Sequence, residues 1–176
     1  PVSPDPGVRL DYQGRIHYWT GTQLQKLHPS GKAERSMHWV PSAEPKGQLV
    51  DPSDLTYGPD GLIWIADSGN CRLQRFRYRD GWQKPIPVGI RGGDPRGVPR
   101  SLAFNPNTKL LYLVVHPRNR QGEVMLQTRT LTGKLIGQRG ICPATGDPVV
   151  KVHTIGNRAT EIETKSGWKD RFNAVA

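Results

Sequence analysis

The stretch from Pro52 to Gly81 alternates short apolar runs with turn clusters, and it constrains the chain more than any other feature. Leu55 and Tyr57 alternate ahead of a Gly58-Pro59-Asp60-Gly61 turn. Leu62 to Ala66 is an apolar run, Asp67 to Asn70 is a second turn, and Leu73 to Tyr78 is a third run that stops at Asp80-Gly81. Runs of this length bounded by Gly, Pro, Asn and Asp read as strand, turn, strand, turn, strand.

Weaker copies of this unit fill the rest of the chain. In the first, Gly14 falls on Gly61, Ile16 on Ile63, Leu24-Gln25 on Leu73-Gln74 and Leu27 on Phe76. The period is a little under about fifty residues, the size of a four-stranded unit. The first part of Lys32 to Val50, with Met37, Trp39 and Val40, suits an outer strand, and Pro41 to Gly47 suits the crossing to the next unit. After Gly81 a short outer strand is expected around Ile86 to Ile90, then the loop Arg91 to Gly97. The third unit places Ser101 to Phe104 innermost, then Leu110 to Val115, Glu123 to Thr130 and Lys134 to Gln138. Val149 to Thr154 and Ala159 to Thr164 form a last hairpin around Ile155 to Arg158, and Trp168 to Ala176 pairs elsewhere or frays. Helical periodicity is scarce, so almost no helix is expected.

A chain of 176 residues can bury one real core, and a single domain is the simpler expectation. The hydrophobic content of 35% and mean hydropathy of −0.61 are low, yet 20 Gly and 16 Pro are spread among the apolar runs, which marks an all-β protein and not a disordered one. A net charge of +10 draws the molecule toward polyanions such as nucleic acid, anionic glycans or an acidic protein face, with a solvated basic surface as the plain alternative. Cys71 and Cys142 lack short-range partner spacing, and a disulfide between them requires a meeting that spacing does not establish. No apolar run is long enough to span a membrane or serve as a signal peptide, so a cytoplasmic, reducing setting with no membrane partner is expected. Pro1 fits a start left by an excised initiator methionine, and equally a boundary within a longer chain.

The run Gly-Pro-Asp-Gly-Leu-Ile-Trp-Ile-Ala-Asp-Ser-Gly-Asn-Cys-Arg-Leu-Gln-Arg-Phe at 58–76 resembles the NHL repeat over essentially its whole length. Asp60-Gly61 makes the tight turn, Ile63 and Ile65 face one side, and Leu73 resumes the buried row. The resemblance implies an all-β fold, a β-propeller of three to four NHL-like blades in a small or incomplete ring, with approximate blades 6–50, 51–98, 99–146 and a partial 147–176. It implies a rigid binding platform more often than an enzyme. In two places the chain departs from the family: Cys71 stands where it commonly has His, and Arg75 where an apolar residue is usual. A charge in that row points to an edge or a partner surface, because an unpaired buried Arg is costly. The chain is short for the usual ring, which leaves a compact four-bladed ring, an open arc protected by another chain, or completion by self-association.

The strongest chemical cluster is Arg72, Arg75, Arg77 and Arg79 along one strand, with Arg91, Arg96 and Arg100 in the segment that follows. Alternation puts Arg75, Arg77 and Arg79 on one face, a stripe able to grip phosphates or carboxylates. Phe76, Tyr78 and Trp82 lie nearby and could stack on unpaired bases. A solvated outer strand explains the same arginines without a ligand. The resemblance reaches distantly to calcium-dependent lactonase propellers, which makes Asp11, Asp54, Asp67, Asn105 and Asp147 axial candidates, although turn geometry explains most of them. The five histidines lack ligand spacing, Cys71 has no evident base, and Arg91 to Gly97 has glycines but no following helix. No catalytic residue, metal or cofactor is assigned.

These features describe a noncatalytic binding or assembly module, a scaffold whose open blade edges take a protein partner or a second copy. The second reading is single-stranded RNA binding through the stripe Arg72, Arg75, Arg77, Tyr78, Arg79, Arg91, Arg96 and Arg100. A metal-dependent lactonase-like hydrolase is the third.

Overall fold

The computed structural model describes residues 7–10, 16–19, 23–28, 30–38, 48–59, 61–118, 123–141, 149–155, 159–164 and 169–173. They form four antiparallel sheets met in chain order. The first holds β1 (Gly7–Leu10), β2 (Ile16–Trp19), β3 (Gln23–Leu27) and β4 (Ala33–His38). The second holds β5 (Pro52–Tyr57), β6 (Ile63–Asp67), β7 (Arg72–Arg77) and β8 (Gly81–Trp82), with β9 (Ile86–Pro87) also on β7. The third holds β10 (Gly97–Asn105), β11 (Leu110–Pro117), β12 (Val124–Thr130) and β13 (Leu135–Ile141). The fourth holds β14 (Val149–Ile155), β15 (Ala159–Thr164) and β16 (Lys169–Asn173). Among the described residues the only helical turn is Ser68–Asn70, and no helix is long and apolar enough to cross a membrane. Gly14, Trp39, Val40, Asp60, Cys142 and the hairpin tip 156–158 lie outside the described residues.

In two places the strands differ from the sequence expectation. The outer strand expected at Ile86 to Ile90 is instead two short pieces, β8 and β9, that both pair with β7. Pro85 and Pro87 have no N–H to give a continuous ladder, and the Val88 N–H reaches the Cys71 carbonyl at 2.9 Å. Lys169–Asn173 is ordered against β15, with Ala159 opposite Asn173.

The continuous apolar run in β6 has a packing cause. Ile63 and Ile65 join Leu55, Tyr57 and Leu24 in a cluster between the first and second sheets. Trp64 and Ala66 point the other way and join Leu102, Phe104, Leu111, Leu113 and Val115 between the second and third. A strand covered on both faces has no polar face to alternate with. Leu73 sits opposite Ala66 and belongs to the second of these clusters, on the face away from Ile63 and Ile65. β11 repeats the arrangement: Tyr112 and Val114 pack with Val152 and Ile162 of the fourth sheet. Gly97 opens β10 where an added Cβ would collide with Val115, so the close approach of these strands demands glycine.

The innermost strands β5, β10 and β14 each carry an irregularity near the start, between Pro52/Asp54, Pro99/Ser101 and Val149/Lys151. Just beyond it a backbone N–H turns out of the ladder and meets a side chain. The Leu55 N–H donates to Asp54 Oδ1 (2.9 Å) and the Leu102 N–H to Asp54 Oδ2 (3.2 Å). The Val152 N–H donates to Ser101 Oγ (3.1 Å), whose own hydroxyl donates to Asp54 Oδ2 (2.8 Å). One buried relay, Asp54 to Ser101 to Val152, therefore ties three inner strands together. Ser53 and Ser68 add hydroxyl bonds to the Pro99 carbonyl.

Asp54→Ala leaves the Leu102 N–H and the Ser101 hydroxyl buried without their acceptor, and a loss of about 2–4 kcal/mol is expected in urea unfolding. Ser101→Ala removes one acceptor and should cost less. A loss below about 0.5 kcal/mol for Asp54→Ala, the range of neutral surface changes, would show that the relay does not hold the sheets.

Candidate functional site

The register of β7 sorts the arginine stripe. Trp64 lies opposite Arg75 and Ile63 opposite Phe76, so Leu73, Arg75 and Arg77 share the face toward the third sheet while Phe76 takes the other. Phe76, Tyr78 and Trp82 pack against the first inter-sheet cluster, with ring centroids 5.3 Å apart for Phe76–Tyr78 and 5.0 Å for Phe76–Trp82. Arg75 and Arg77 thus lie opposite the aromatic face, whereas Arg72 shares the face of Phe76.

Each guanidinium of the strand meets a group of its own sheet. Arg72 Nε bonds Asp67 Oδ2 at 2.6 Å, and its Nη2 bonds the Gln48 carbonyl at 2.6 Å. The Asp67 carboxylate is fully buried and also accepts the Val50 N–H (2.8 Å) and Asn70 Nδ2 (2.9 Å). Arg75 lays its guanidinium 5.2 Å from the Trp64 ring centroid and donates to the Lys84 carbonyl at 3.1 Å. Burial lowers its pKa. The charge in the normally apolar row is thus accommodated within the chain, its stem packed and its head over an indole. Arg77 Nη1 and Arg79 Nε reach the two oxygens of Asp80 at 2.9 and 2.7 Å. Bonds from Arg79 first, then Arg77, hold the Asp80 carboxyl below its usual range.

The arginines beyond β9 are placed differently. Arg91 is fixed through its backbone, its N–H to Gln138 Oε1 (3.0 Å) and its carbonyl to Gln138 Nε2 (3.1 Å). Arg100 falls at the irregularity of β10 and is exposed. Arg96 lines a cleft of about 400 Å³ between the second and third sheets, together with Gly69, Asn70, Cys71, Pro95 and Arg118. Cys71 is a buried free thiol. Of the acidic and amide candidates, Asp54 and Asp67 are consumed as described, and Asn105 Oδ1 accepts the N–H groups of Asn107 (3.0 Å) and Thr108 (3.3 Å). Asp54 lies within a strand, not the turn that its type suggested. Asp11 and Asp147 lie outside the described residues.

Two groups escaped the sequence reading. Arg129 is 5% exposed, donating to Gln127 Oε1 from Nε (3.1 Å) and Nη2 (2.8 Å) and to the Gly133 carbonyl from Nη1 (2.9 Å). Burial lowers its pKa. Gln127 in turn binds the Gly89 carbonyl (2.6 Å) and Gln138 (3.0 Å), clamping the inter-sheet loop to the third sheet. The available signal was the pair Leu126-Gln127, which repeats Leu24-Gln25 and Leu73-Gln74 on the third strand of a unit. The other missed residue is Arg118, which follows β11 and comes near Arg96 because Gly97 pairs with Pro117 in the third sheet.

Known proteins match this chain in parts. A family model described as NHL repeat matches residues 49–76. No curated protein sequence matches the chain. Among solved structures, virginiamycin B lyase from Staphylococcus aureus is similar with a TM-score of 0.60 at 16% identity, over 97% of this chain and 56% of that one. The β-propeller domain of Cps50 (Swd1) from Myceliophteria thermophila gives 0.61 at 9%, over 96% and 52%. The WD40 repeats of RRP9 give 0.61 at 14%, over 94% and 50%. The chain has an NHL- and WD40-like β-propeller fold and spans about half the length of these structures.

Removing Arg72 strips a fully buried carboxylate of its cation. Arg72→Ala should therefore lower unfolding stability by about 3 kcal/mol, whereas Arg79→Ala, on a side chain 80% exposed, should stay within about 0.5 kcal/mol. Equal losses in chemical denaturation would contradict this division between structural and solvated arginines.

Proposed function

We propose that this chain is a noncatalytic binding and assembly module, an arc of four blades whose end sheets are covered by a protein partner or by a second copy. The carrying observation is the pattern of inter-sheet packing. Apolar clusters join the first sheet to the second, the second to the third and the third to the fourth, and among the described residues none joins the fourth to the first. Among the described residues, apolar clusters line both faces of the inner sheets and one face of each end sheet, which leaves the other face of an end sheet to call for a neighbour. The extent of the structural matches, about half of larger propellers, supports an arc over a compact ring. The WD40 repeats among the similar structures support protein binding as the use of such a platform.

Native mass spectrometry at high salt tests this reading. A defined oligomer, or a complex with a copurified propeller segment, is expected. A monomer that unfolds cooperatively without partners would sink it.

Binding of single-stranded RNA is the second reading, favoured by Arg91, Arg96 and Arg100. All are exposed, and their guanidinium groups bond none of the described residues. In anisotropy titrations with oligouridylate, replacing all three with Ala should weaken binding by about tenfold and flatten the salt slope by up to about three units. An unchanged slope would remove this reading.

A further inference from the structure

We propose that the cleft between the second and third sheets is a binding site for a small organic phosphate, held by Arg96 and Arg118. The cleft holds about 400 Å³, within the range of small-molecule sites. Among the described residues lining it, these two arginines are the only charged ones. Both are exposed, and neither guanidinium bonds or pairs with a described residue, unlike those of Arg72, Arg75, Arg77, Arg79 and Arg129.

Their backbones are fixed by one carboxylate. Asp94 Oδ1 accepts the Arg96 N–H and Asp94 Oδ2 the Arg118 N–H, each at 2.9 Å. Asp94 itself does not line the cleft. Arg96, just ahead of β10, and Arg118, just beyond β11, thereby flank the Gly97–Pro117 pair of the third sheet with their backbones tied to one carboxylate, and among the described residues no acidic side chain lines the cavity to neutralise them. The opposite wall is equally fixed: the Cys71 N–H bonds the Ser68 carbonyl (3.1 Å), and the Cys71 carbonyl accepts the Val88 N–H (2.9 Å).

The ligand class follows from this donor set. One guanidinium satisfies a carboxylate bidentately, so a pair of them calls for more oxygens and more charge. A phosphate monoester, with close to two negative charges at neutral pH and three terminal oxygens, matches two forks. The cavity exceeds a bare phosphate, and Pro87, Val88 and Pro95 give the organic part an apolar wall. This assignment is independent of what covers the end sheets.

Amide NMR titration of the full chain with phenyl phosphate at low salt tests it. Saturable shifts are expected at Gly69, Asn70, Cys71, Arg96 and Arg118. The double variant Arg96→Ala/Arg118→Ala should lose at least about tenfold in affinity, as for charge-assisted hydrogen bonds, while Arg100→Ala, which removes one positive charge outside the cleft, leaves it unchanged. Inorganic phosphate should bind at least about tenfold more weakly than phenyl phosphate, for want of the buried ring. The proposal is overturned by diffuse, non-saturating shifts, by an equal loss in Arg100→Ala, or by equal affinity for inorganic phosphate.

Discussion

The Asp54 carboxylate carries the geometry of this molecule. An irregularity near the start of an innermost strand turns a backbone N–H out of its own ladder, and a buried N–H without an acceptor is expensive. Asp54 answers twice, taking the N–H of Leu55 in its own strand and that of Leu102 in the next. Ser101 then does the same for Val152, one sheet further on. The relay requires β5, β10 and β14 to approach closely, and the apolar clusters fill the wedges that this approach creates. Packing supplies most of the stabilisation, and the polar relay selects which arrangement of sheets is packed.

The same division between engaged and available groups runs through the cations. A net charge of +10 suggests a uniformly basic surface, but the β7 arginines are spent within the second sheet. Arg129 is taken deeper still, neutral amide and carbonyl oxygens being its acceptors. Arg91, Arg96 and Arg118, whose guanidinium groups meet no described partner, sit in loops, where a rigid framework presents exposed side chains. The cleft of Arg96 and Arg118 is the best ordered of these places, because Asp94 anchors both backbones.

Much of the fold was legible along the chain. Strand positions in the second and third sheets follow from apolar runs bounded by Gly, Pro, Asn and Asp, which act through local backbone preferences. The run 58–76 was distinctive enough to identify its repeat. Where local chemistry was ambiguous the reading drifted: Asp54 has the residue type of a turn but the position of a strand, and Pro85 and Pro87 split an outer strand that apolar content alone suggested.

The sequence by itself determined the strands, their antiparallel order and the repeating blade, because side-chain alternation and turn chemistry operate over a few neighbouring residues. Only the tertiary structure decided which polar groups are consumed and which are left. Asp54 and Ser101 are 47 positions apart on two different sheets, and Ser101 meets Val152 of a third. Such pairs depend on the angle and distance at which separate sheets pack, and no local periodicity encodes those quantities.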